Sequence, residues 1–122
     1  MKGARPYDVA HFLGNRLYRA VMRGQWEASV EYGLQTLAYT RQTGSVFQQL
    51  IWQQPLAWAL AELGRMDEAR ENLESAKRLV ESTGAGCCLP LMLLTEARIA
   101  YLQGDRPTYL DYLRQAFAAA RM

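Results

Sequence analysis

The chain has 122 residues, 50% of them hydrophobic and 21% charged, with 14 Lys and Arg against 12 Asp and Glu for a net charge of +2. That length suits one domain able to bury roughly two thirds of its unfolded surface, which leaves no room for a separate catalytic domain. The charge is too small and too evenly mixed to favour nucleic acid or an anionic membrane, and no charge-free apolar run approaches the ~18 residues of a membrane span.

The opening MKGARPYDVA has no apolar signal-peptide core, so the expected location is cytoplasmic. Glycine then stands at 24, 44, 64, 84 and 104, one every 20 residues. At glycine's usual frequency of about 7%, such a comb arises by chance on the order of once in several thousand chains, so these glycines are read as punctuation of a repeat. Between them lie stretches long enough for helices of about four to five turns. Each glycine opens a tight turn in left-handed dihedrals that cost an L-residue about 1 kcal/mol or more. The predicted fold is all-α, six antiparallel helices in three helix-turn-helix repeats of about 6–44, 45–84 and 85–122. Together they form a single helical-repeat domain, expected to be a fragment of a longer protein.

The first helix of each repeat, near 7–22, 46–63 and 88–103, carries a small-residue seam: Leu17, Ala20 and Val21, then Ala57, Leu60 and Ala61, then Ala97, Ala100 and Tyr101. Small side chains let two helices approach closely. Pro55 predicts a kink in the third helix or a late start to it. In the fourth helix, Asp67 and Glu68 sit where the dipole favours acids, and Ala69, Leu73, Ala76 and Val80 form an apolar stripe opposite a charged face. Arg70 with Glu74 and Glu74 with Arg78 are spaced for pairing one turn apart. After the Thr83–Gly86 loop, Pro90 suits the first turn of the fifth helix; Asp105 is the expected N-cap of the sixth, with Pro107 behind it. The sixth helix offers the stripe Leu110, Leu113, Ala116 and Phe117, and it lacks the polar outer face that ends a repeat array. Truncation or a homodimer through this uncapped C-terminal helix is the expectation.

Chemistry-bearing residues are sparse. Cys87 and Cys88 are adjacent, a spacing that strains a disulfide, and both are read as buried structural thiols. His11 is the only histidine, so neither a zinc site nor any other metal or cofactor site is predicted. No nucleophile–base pair or phosphate loop stands out, and the chain is not expected to be an enzyme.

The segment ALAELGRMDEARENLESAKRLV, with Ala69 five and Ala76 twelve residues after Gly64, resembles the tetratricopeptide pattern, although the spacing here is 40 residues rather than 34. Ser29 and Tyr109 stand in the place of Ala69, and Thr36 in that of Ala76. Forty-residue units with an LGRMDEAR-type turn and an endpiece like LRQAFAAAR resemble the helical-repeat sensor region of MalT-like, LuxR-family bacterial transcription activators. The resemblance implies a right-handed superhelical solenoid that binds a protein or peptide partner, or a small-molecule inducer, without contacting nucleic acid or membrane itself. It also implies which residues point into the concave groove: His11, Gly14, Tyr18 and Val21; Ile51, Gln54, Trp58 and Ala61; Leu91, Leu94, Arg98 and Tyr101. From these, His11, Tyr18, Gln54, Trp58, Arg98 and Tyr101 are the candidate ligand or partner residues, with inter-repeat core as the competing role for the aromatics. Trp26 and Trp52 lean toward core. A free-standing tetratricopeptide-like scaffold or adaptor gripping a peptide segment is the alternative function, and a basic carboxylate clamp would mark it.

Overall fold

A computed structural model describes residues 5–44, 46–84 and 89–121, apart from the side chains of Tyr7 and Phe47. Six α-helices follow one another: α1 Pro6–Met22, α2 Trp26–Thr43, α3 Val46–Glu62, α4 Met66–Thr83, α5 Leu89–Leu102 and α6 Arg106–Ala120. No strand occurs among the described residues, and none of these helices is long and apolar enough to cross a membrane. The chain is all-helical, with its breaks where the glycines predict them. All five comb glycines have positive φ, from 68° at Gly44 to 80° at Gly64. At Gly64 the turn closes with Gly64 N–H donating to the Ala61 carbonyl and Arg65 N–H to the Leu60 carbonyl, so carbonyls left over at the end of α3 are satisfied.

Helix starts follow local chemistry. The Asp105 carboxylate accepts from the Thr108 N–H at 3.2 Å, which caps α6, and hydrogen bonding from Thr108, first from its side chain and then from this N–H, holds the Asp105 pKa below its ordinary value. Pro90 and Pro107 each occupy the second position of their helices, where the missing N–H costs nothing. At Pro55 the expected late start does not occur, because α3 runs from Val46 through a buried Pro55 to Glu62. The neighbours that cover α3 on several sides supply what the lost backbone bond does not. Cys87 and Cys88 lie outside the described residues.

Consecutive helices pack on each other, most extensively in the pairs α1–α2, α3–α4 and α5–α6, and α3 also touches α1 and α5. These contacts fit a helical repeat, with α3 at its centre. Leu56, Ala57, Ala59, Leu60 and Ala61 are all buried, so α3 is enclosed on successive faces. The predicted seam is buried at Leu17, Ala20, Ala57, Leu60, Ala61, Ala97 and Ala100, whereas Tyr101 stands out from it at 57% exposure. Ser29 and Thr36 fill alanine-sized buried positions by returning their hydroxyls to the carbonyls of Gln25 and Tyr32, at 2.7 and 2.6 Å.

The boundaries between repeats differ in chemistry. Between the first and second the contact is dry: an added Cβ on Gly33 would lie 2.7 Å from Leu56 Cδ1, and one on Gly14 2.3 Å from Trp52 Cε2. Between the second and third it is polar. Lys77 pairs with Glu96, Arg70 donates to Gln103, Gln54 donates to Thr95 Oγ1 at 2.8 Å, and Arg98 pairs with Glu62 at 2.6 Å. This corrects the expected pairing along α4, since Arg70 reaches across to the next repeat and Glu74 lies 3.9 Å from Lys77.

Tyr112 borders the same polar boundary. Its hydroxyl is pushed up to about 12, first by hydrogen bonding to Glu96, then by burial and by the Glu96 charge. A phenol whose pKa is raised by folding contributes stability below its ordinary value near 10, and that contribution is lost as pH rises from about 10 to 12. Absorbance titration of the protein against a Tyr112→Phe variant is therefore expected to show one late-titrating tyrosine. Glu96→Gln is expected to move it down toward 10.

One predicted stripe fails. Ala116 is buried and Leu113 half-buried, but Leu110 and Phe117 are exposed, Phe117 at 64%. Of the other helices, only α5 makes extensive contact with α6, so among the described residues no helix packs over the face bearing these two side chains.

Candidate functional site

The odd-numbered helices carry most of the large apolar side chains left in solvent: Phe12, Tyr18 and Met22 on α1, Ile51 on α3, and Leu91, Leu94 and Tyr101 on α5. Several of these stand at the offsets proposed for a groove. Tyr18, Ile51, Gln54 and Leu91, from three different helices, line one cleft of about 160 Å³ with Trp52 and Pro55 in its wall. Tyr18 is 56% exposed there, while Trp52 is only 7% exposed and packs edge-on against His11 with ring centroids 6.3 Å apart. The sequence expectation that Trp52 is core holds, and its ring also forms part of the cleft.

Gln54 gives this apolar cleft a polar group: it is held by its hydrogen bond to Thr95 and keeps its side-chain carbonyl as an acceptor. Trp52 Nε1 is buried without a hydrogen-bond partner among the described residues and is closed off from solvent. Pro55 adds a second feature, because it has no N–H to offer the carbonyl of Ile51 one turn earlier.

Arg98 on α5 is half-buried and flanked by two aromatic rings. Its guanidinium lies 5.8 Å from the Trp58 ring centre and 5.2 Å from that of Tyr101, and its Nε donates to Glu62 Oε1. The pair raises the Arg98 pKa above its ordinary value, first through the hydrogen bond to Glu62. Arg98 thus ties α5 to α3. Its charge is already matched, and Glu62, which the sequence offsets did not single out, is what matches it. A carboxylate two residues before the turn glycine, in a helix with no other charged residue, was the available signal.

The six candidates therefore divide. Tyr18 and Gln54 share the cleft, His11 borders its Trp52 wall, and Trp58, Arg98 and Tyr101 form a separate aromatic–cation cluster. Gly14 and Ala61 are buried, so the groove offsets at these two positions serve packing between helices. No protein-family model matches the chain, and neither a curated protein nor a solved structure does so.

Proposed function

We propose that this chain is a non-catalytic binding module, a tetratricopeptide-like solenoid of three antiparallel hairpins whose concave face takes up a protein segment or effector. The particular role we assign is the sensing region of a cytoplasmic bacterial transcription regulator, as the resemblance to MalT-like, LuxR-family activators suggests. The observation that carries the binding role is the cleft of Tyr18, Ile51, Gln54 and Leu91. Aromatic and branched apolar side chains supply contact area, and the Gln54 carbonyl fixes orientation. An extended peptide offers amide donors and acceptors beside apolar side chains and so suits the cleft.

Neutralisation of Arg98 by Glu62 favours this reading over the adaptor alternative, because a carboxylate clamp needs a cation that is not already paired. In a regulator, ligand in the groove would shift the population toward one curvature of the stack, and neighbouring domains would read that change. The test is selection of peptides from a displayed random library, followed by titration against Tyr18→Ala and Ile51→Ala. Both side chains are exposed, so melting is expected to stay within a degree or two while affinity falls about tenfold. Binding unaffected by either change, or lost only together with stability, would count against the groove.

A further inference from the structure

The two boundaries of the stack use the same positions with opposite chemistry. Steps of 40 residues carry Val30 to Arg70, Leu37 to Lys77, Leu56 to Glu96 and Leu63 to Gln103. At the first boundary these side chains are apolar; Val30, Leu37 and Leu56 are buried, and Gly14 and Gly33 let Trp52 and Leu56 close against them. At the second, Arg70 donates to Gln103 and Lys77 pairs with Glu96. Helices α2 and α3 accordingly meet far more extensively than α4 and α5. Where Leu56 fills the space over Gly33, the corresponding space between the second and third repeats holds a cleft of about 170 Å³ lined by Arg70, Leu73, Glu74, Glu96, Gln103 and Tyr112.

Resistance to movement differs in kind between the two. Shifting close-packed apolar faces opens voids that neither protein nor water fills, so a dry boundary yields only by coming apart. Hydrogen bonds and ion pairs made by long side chains can lengthen, or exchange partners with water, at small net cost. The Lys77 and Arg98 side chains are 28% and 33% exposed, within reach of that water. The cleft supplies room to turn. Met92 and Ile99 join the apolar core, so the third repeat stays attached as it moves. Position at an end of the stack does not account for the difference, because the first repeat likewise has one neighbouring repeat and is held to it by the dry boundary.

We infer that the boundary between the second and third repeats is a hinge, at which α5 and α6 swing together against α1–α4, and that α1–α4 move as one body. The movement needs no ligand and is independent of the binding role. It does reach the Tyr18 cleft, where Leu91 and Met92 belong to the moving α5 and Tyr18 and Ile51 to the fixed body. Glu31, Glu71 and Asp111 occupy equivalent exposed positions on α2, α4 and α6, so spin labels placed there differ in which boundary lies between them. In a chain with Cys87 and Cys88 changed to alanine, Glu71→Cys is combined in turn with Glu31→Cys and Asp111→Cys, and pulsed electron-spin resonance gives the two distance distributions. The distribution across the second boundary should be at least about twice as wide as that across the first. Lys77→Met should widen it further and leave the first unchanged. Equal widths, or a Lys77→Met effect that is absent or extends to the first boundary, would overturn the proposal. So would hydrogen exchange showing α6 amides unprotected while those of α4 stay protected, because the breadth would then report melting of α6 instead of its movement.

Discussion

Leu56→Ala is expected to lower stability by about 3–4 kcal/mol, enough to bring the melting temperature down by roughly 10 °C or more. Leu56 is fully buried in α3, at the dry boundary where the second repeat meets the first. Its side chain lies against Gly33, so truncation removes apolar contact from two repeats at once and leaves a void that the enclosed α3 cannot readily collapse. The same geometry predicts coupling between positions 33 and 56. Gly33→Ala alone would bring a Cβ within 2.7 Å of Leu56 Cδ1, a contact that opposes the helix-propensity gain of about 1 kcal/mol. In the Leu56→Ala background the Cδ1 clash is gone and only the 3.1 Å approach to the Cβ of residue 56 remains, so Gly33→Ala should then be clearly less unfavourable. Urea melts of the four proteins in this cycle measure it; equal effects of Gly33→Ala in both backgrounds would show that the two helices do not meet there.

Gly14→Ala should be the most damaging single-methyl addition in the molecule. A Cβ there would stand 2.3, 2.4 and 2.6 Å from three atoms of the Trp52 ring, which is rigid and 7% exposed. Leu56 can turn a methyl aside at Gly33, but an indole must move as a unit. A cost of about 3 kcal/mol is expected even after the helix-propensity gain, and Trp52→Leu should relieve part of it. Because Trp52 also walls the Tyr18 cleft, Gly14→Ala should weaken any peptide bound there. An unchanged melt for Gly14→Ala would place α1 farther from α3 than described.

Much of the fold is legible in the residues, and the reason is local. A positive φ at a helix end is nearly a glycine privilege, so the turns at 24, 44, 64, 84 and 104 leave a mark that needs no tertiary knowledge. The Asp105 cap and Pro107 are visible for the same reason. What escapes is the identity of neighbours. The stripe from Leu110 to Phe117 has the period of a buried face, and period alone does not say whether another helix lies over it. Likewise Arg98 reads as an orienting group for a ligand until the geometry brings Glu62 to it from 36 residues away. The late start expected at Pro55 weighs only local backbone sterics, while α3 is held on several sides by its neighbours and begins at Val46. The cleft itself was half visible: offsets from the glycines name Tyr18, Ile51, Gln54 and Leu91 together, but not the Trp52 ring beside them.

Chemical-shift mapping of a library-selected peptide onto the labelled protein tests the binding role most directly. The account predicts perturbations concentrated on Tyr18, Ile51, Gln54 and Leu91, with the Trp52 ring that walls the cleft also shifted. Perturbations confined to the charged face of α4 or spread evenly over the chain, with the Trp52 signal unmoved, would contradict it.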